Sequence, residues 1–247
     1  MGDTRRTALI TGSGRNIGRA SALALAKNGI NVIVNGSSNR ANCDIVADEV
    51  RALGVEALVC MADVGNPADL EKMVTDGTKA FGCIDILVNN AAVRPNSPFL
   101  ETGEDEWERI LNIDFHAARR LARLCLPGML ENGWGRIVNF AGMNAIHGYN
   151  GRAPVSVSKH ASWGLTKSLA KEFGKQGVTT NIISPGPIAP DEAEPEMREH
   201  IESMVGRVPV GRLGRNEEIG AMVALLASDD GAFINGQLLQ VNGGAET

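Results

Sequence analysis

Seven short apolar runs, spaced by longer stretches of helical period, constrain this 247-residue chain more than any other feature. The runs cover residues 8–10, 31–34, 55–61, 84–88, 136–140, 179–183 and 238–241. They are rich in Val and Ile and are apolar on both faces, as parallel strands buried on both sides of a sheet must be. Helical periodicity occupies about 17–28, 39–53, 67–81, 105–131, 155–175 and 216–227. Strands separated by helices predict right-handed βαβ crossovers and an α/β fold: a doubly wound parallel sheet with helices on both faces. No repeat, low-complexity tract or linker divides the chain, so a single domain spanning 1–247 is expected.

Composition narrows the partners. A net charge of −5 argues against nucleic acid or an anionic membrane surface, both of which call for a basic face. The four cysteines, Cys43, Cys60, Cys83 and Cys125, form no CxxC pair, so reduced, mostly buried thiols and no metal site are expected. Met1 leads almost directly into the first strand, without the pattern of a secretory signal, and no apolar run approaches the roughly 20 residues of a membrane helix. These features together predict a cytoplasmic protein.

The first strand ends in Thr11-Gly12-Ser13-Gly14-Arg15-Asn16-Ile17-Gly18 and opens straight into a helix. Glycines here let the backbone approach a pyrophosphate, which the helix N-terminus stabilises. This is the position of the dinucleotide-binding turn of a Rossmann fold, although a tight strand-to-helix connection alone would use the same residues. The spacing is TGxxxGxG, with Asn16 where a middle glycine would stand. Asparagine is the non-glycine residue best suited to a positive φ. The second strand runs into Asn35-Gly36-Ser37-Ser38-Asn39-Arg40, without the carboxylate that binds the ribose 2′-hydroxyl of NAD. Arg15, with Arg40 second and Ser37 beside them, suits a 2′-phosphate. NADP(H) is therefore favoured over NAD(H), against the alternative of solvated loop arginines.

With that turn, four later motifs resemble the short-chain dehydrogenase/reductase family over nearly the whole chain, most closely its 3-oxoacyl-acyl-carrier-protein reductase-like branch. Asp63-Val64 matches the family's adenine contact and Asn89-Asn90-Ala91-Ala92 its NNAG turn. Pro185-Gly186-Pro187-Ile188 matches the turn beside the nicotinamide, and Asn242-Gly243-Gly244 the C-terminal turn. The resemblance implies a Rossmann fold with seven strands and a nicotinamide cofactor held by Gly12, Gly14, Arg15, Asn16, Ile17, Gly18, Ser37, Asp63, Val64, Asn90, Ala91, Lys159, Pro185, Gly186 and Ile188. It also implies a substrate lid at about 187–210 and a homotetramer or homodimer built on the helices near 105–131 and 155–175.

The resemblance fails at the chemistry. The family's Tyr-x-x-x-Lys pair falls, without a gap from Gly135-Arg136-Ile137-Val138-Asn139, on Val155 and Lys159, and its serine falls on Gly142. Its helix asparagine, counted from Trp107, falls on Asp114, and Pro190 replaces its threonine. Valine and glycine offer neither a proton nor a side-chain hydrogen bond. Losing a positioned acid or base costs about 10²–10⁴ in rate, roughly 3–5 kcal/mol of barrier. Stand-ins are Tyr149, the one tyrosine, and His147, an imidazole able to exchange protons, with Asn144 on the same loop and Ser156 and Ser158 flanking the site. Each of the first two reads more readily as a wall or surface residue. Lys159 and Asp114 are readable as an ion pair, or Asp114 as a plain helix carboxylate.

The lid carries Asp191, Glu192, Glu194, Glu196 and Glu199, then Met197, Ile201, Met204 and Val205. The acids read as a solvated face, and they disfavour an acidic carrier protein as partner. Three readings remain: an oxidoreductase on a small-molecule carbonyl or alcohol with a non-standard site; a non-redox lyase, hydratase or isomerase; and a catalytically inactive cofactor-binding protein.

Overall fold

The computed structural model describes residues 5–142, 147–191 and 203–246. Its centre is a seven-stranded, all-parallel sheet of order β3-β2-β1-β4-β5-β6-β7. The strands are β1 (Thr7–Ile10), β2 (Asn31–Gly36), β3 (Ala57–Met61), β4 (Ile86–Asn89), β5 (Gly135–Phe140), β6 (Val178–Pro185) and β7 (Leu238–Val241). The order reverses between β1 and β4, the point where a crevice opens at the carboxyl ends of the strands of such a sheet.

Alternation of side chains along each strand feeds two separate cores. Ala8 and Ile10, Val32 and Val34, and Ile86 and Val88 point to one face. Leu9, Ile33 and Leu87, between them, point to the other. Both faces being covered, all four β1 residues and all six of β5 are buried. The first layer holds α1 (Asn16–Lys27) and α2 (Arg40–Ala52), with a C-terminal helix, Asn216–Leu226. The second holds α3 (Pro67–Phe81) and the long helical segment that follows β4.

That segment is not the unbroken helix its periodicity predicts. It consists of α4 (Glu104–Leu111), a π-helical turn (Asn112–His116) and α5 (Ala117–Glu131). A π turn inserts a residue into the helical register, an irregularity often found at functional sites. Its one buried residue is Asp114, whose carboxylate Oδ1 accepts the Val93 N–H at 2.8 Å. The local hydrogen-bonding loss is thereby offset by a bond to another segment. After β5 comes α6 (Ala153–Phe173), and Asn216–Leu226 is α7. Among the described residues, no helix is long and apolar enough to cross a membrane.

Candidate active site

The glycine-rich turn after β1 is braced from three sides. Asn35, buried at the end of β2, accepts the Gly12 N–H through Oδ1 (3.1 Å) and donates through Nδ2 to Cys60 O and Ala62 O. Asn90 Nδ2 donates to Thr11 O (2.9 Å) and Gly12 O (3.0 Å), and the Asn90 and Ala91 N–H groups both donate to Thr11 Oγ1. Asn90 and Ala91 thus hold the turn's shape with these donors. Space is equally tight: a Cβ on Gly18 would lie 2.2 Å from Gly12 O. Asn16 has φ 50°, the one non-glycine residue with positive φ among those described.

The N-terminus of α1 receives no capping bond from the Arg15 side chain. It is met instead by Asp191, whose Oδ2 accepts the Asn16 N–H at 2.7 Å. Asn16 Oδ1 accepts the Asp191 N–H in return (2.9 Å), and Asn216 Nδ2 donates to Asp191 Oδ1 (2.9 Å). Read in the sequence as part of a solvated acidic face, Asp191 is engaged with the turn itself. An oxyanion therefore already sits on the Asn16 N–H at the start of α1, and such a helix N-terminus fits the pyrophosphate of a dinucleotide.

The other predicted cofactor residues lie past the carboxyl ends of β2, β3 and β6 or on α6. Ser37 and Arg15 are exposed, and the Arg15 guanidinium has no partner among the described residues. Arg40 forms an exposed ion pair with Asp44 at 3.5 Å. Asp63, past the end of β3, accepts the Gly65 N–H, while Val64 is buried. Past the end of β6, Gly186 N–H donates to Val241 O, and Ile188 bridges to Gly214.

Lys159, on α6, has its Nζ 3.5 Å from Asp114 Oδ2, and the two side chains are 3% and 0% exposed. Burial pushes the Lys159 ammonium below its ordinary value of 10.5; Asp114 pulls it back up and Arg94 pushes it further down. Among the described residues the Oδ2 atom accepts no hydrogen bond, and Asp114 lines a cavity of about 10 Å³ with Asn89, Asn139 and Ser162. That is about the space of one water. Val155 is buried, and Gly142 has φ 103°. Ser158 is buried and donates to Val155 O, so it belongs to the packing of α6. Ser156 Oγ is buried and has no partner among the described residues.

His147 and Tyr149 are not joined to the pair. His147 Nε2 lies 2.7 Å from Glu246 Oε2, and Tyr149 is exposed. Asn112 accepts from Arg120. Asn144 and the lid acids beyond Asp191 lie outside the described residues.

A family model described as enoyl-(acyl carrier protein) reductase matches residues 12–246. The chain is 34% identical over 239 residues to the 3-oxoacyl-[acyl-carrier-protein] reductase FabG of Staphylococcus aureus (strain Mu50), covering 97% of each chain. It belongs to the short-chain dehydrogenase/reductase family. Identity is also 34%, over 242 residues, to the 3-oxoacyl-[acyl-carrier-protein] reductase of Synechocystis sp. (98% and 97% covered). A solved structure from Sinorhizobium meliloti, described as a short-chain alcohol dehydrogenase, superposes with TM-score 0.91 at 27% identity, covering 99% and 97%.

Lys159 and Asp114 form a buried ionisable pair, and Lys159 lies one helical turn after Val155 on α6. Sequence reasoning missed Asp191 and Arg94 as neighbours of this site. Arg94 follows the Asn89–Ala92 turn directly after Val93, but neither residue carries a spacing that signals its contacts, which come from segments far along the chain.

Proposed function

We propose that this protein is an NADP(H)-dependent oxidoreductase acting on a small carbonyl or alcohol substrate through an atypical acid–base site. The observation that carries this reading is the buried Lys159–Asp114 pair at 3.5 Å. When bound, a nicotinamide dinucleotide supplies the hydride, whose electron pair forms the new C–H bond at a carbonyl carbon. The carbonyl π pair moves to oxygen, and Lys159 Nζ gives that oxygen its proton. Burial makes this ammonium a stronger acid than a solvated lysine, while Asp114 holds it in place. Water then restores the proton to Nζ. Tyr149 and His147 are the auxiliary candidates.

Preference for NADP(H) is supported by the exposed Arg15 guanidinium, which has no partner among the described residues, and by the lack of a carboxylate over residues 35–40. A homotetramer or homodimer in the cytoplasm belongs to the same proposal. Fluorescence titration with NADPH and NADH tests it: NADPH is expected to bind more tightly, and binding of neither would sink the reading.

A second reading has its own support in the apolar, buried Val155 and the bare Gly142. On it, the protein is a non-redox lyase, hydratase or isomerase, or binds cofactor without catalysis. Tight NADPH binding with no hydride transfer across a panel of ketones, aldehydes and alcohols would favour that alternative.

A further inference from the structure

Two hydrogen bonds bring a second set of cations to the Lys159–Asp114 pair. Val93 N–H donates to Asp114 Oδ1 at 2.8 Å, so Arg94, the next residue, leaves the backbone one position from the buried carboxylate. Ser97 N–H donates to Gly151 O at 2.8 Å, which docks the loop carrying Arg94 against the residue before Arg152. The docking is close: a Cβ on Gly151 would lie 2.5 Å from Asn96 Oδ1. Arg152 is itself the N-cap of α6, whose second turn carries Lys159, so the helix's positive end faces the same region.

The charges there do not balance. Asp114 is already taken by the Val93 N–H and Lys159. Among the described residues, neither the Arg94 nor the Arg152 guanidinium has a hydrogen bond or an ion pair. Arg94 is reached by solvent, yet surrounding protein lowers its guanidinium below its ordinary value; Asp114 opposes that and Arg152 adds to it. Three cations face one carboxylate in a chain whose net charge is −5.

We infer that Arg94 and Arg152 form an oxyanion subsite of the substrate pocket, which takes a carboxylate or a phosphate carried by the substrate. Guanidinium forks match either group bidentately, and an anion between them relieves their repulsion. This assignment deepens the oxidoreductase reading and rests on it for the identity of the pocket.

Calorimetry on the full chain with NADP⁺ present tests it. Acetoacetate and dihydroxyacetone phosphate serve as charged probes, with methyl acetoacetate and dihydroxyacetone as their neutral counterparts. A charged probe is expected to bind at least about ten-fold more tightly than its counterpart, and the better of the two identifies carboxylate or phosphate. Arg94→Gln and Arg152→Gln should each abolish that preference, while Lys167→Gln, an exposed change elsewhere on α6, keeps it. Equal affinity for charged and neutral probes, no binding of any probe, or a preference surviving both arginine variants overturns the subsite. So does an equal loss of NADP⁺ affinity in Arg94→Gln, which would give the arginines to the cofactor. Arginine-dependent preference without hydride transfer from NADPH keeps the subsite and removes the oxidoreductase reading. NADPH oxidation with no preference for charge does the reverse.

Discussion

Asp191 and Asn16 hold one another across 175 positions of sequence: a carboxylate on the Asn16 N–H at 2.7 Å, answered by the Asp191 N–H on the Asn16 amide oxygen at 2.9 Å. The carboxylate sits where a helix N-terminus receives a phosphate, so it competes with one. Asp191→Ala should tighten dinucleotide binding by roughly three- to ten-fold, the scale of one net hydrogen bond. Fluorescence titration of the variant with NADPH reads this directly, and weaker binding would show that the carboxylate assists the cofactor.

Lys159→Met should lower turnover of any accepted carbonyl by about 10²–10⁴, the loss expected of a positioned acid. Asp114→Ala should cost about 3–5 kcal/mol of stability, because it strands a buried ammonium, and chemical denaturation measures it. Lys159 is protonated below its lowered pKa and neutral above it, so the alkaline limb of kcat should fall below 10.5. In Asp114→Asn the ammonium loses the partner that raises its pKa, and the limb should move to still lower pH. A limb unchanged in Asp114→Asn would separate the pair from the chemistry.

Gly142 has φ 103°, and among the described residues a Cβ there would meet no atom within 4 Å. Its tolerance is therefore a matter of backbone alone, and Gly142→Ser should destabilise the fold by about 1–3 kcal/mol. Val155→Tyr adds a larger ring at a buried position. Combining the two restores the family's serine and tyrosine. If ketoreductase activity rises in that double variant despite its lower Tm, only those side chains were lacking.

Burial pushes the thiols of Cys60 and Cys83 up to about 11 and that of Cys125 to about 12, and raises Cys43 as well. Against an ordinary value of 9.0, a shift of two units leaves about a hundred-fold less thiolate. Iodoacetamide at pH 8 should accordingly modify the native protein at least about ten-fold more slowly than the unfolded chain, in which four thiols react. Above pH 9 the unfolded chain releases protons that the native thiols keep, so stability should decline as pH rises through that range. Rapid modification of the native protein would contradict this burial.

Much of the fold was legible because its signals are local. Helix α3 begins and ends where its pattern does, since Pro67 opens it, the Asn66 side chain accepts the Ala68 N–H, and Gly82 at φ 85° stops it. Asn16 takes the positive φ that its place in the glycine turn called for. The break at Asn112–His116 was not legible, because its compensation comes from Val93. Asn90 looked like a cofactor contact and is also a brace for Thr11 and Gly12, a role that exists only once β1 and β4 are paired.

By itself the sequence determined the parallel sheet and the glycine-rich turn at its switch point, since periodicity and steric freedom act over a few residues. It also settled which side chains are missing, as Val155 and Gly142 carry no proton in any fold. Tertiary structure alone decided which charges meet: Lys159 with Asp114, and Asp191 with the N-terminus of α1. Coulomb energy and desolvation depend on distances through space, and residues far apart in the chain acquire those distances only when the sheet and its helices have packed.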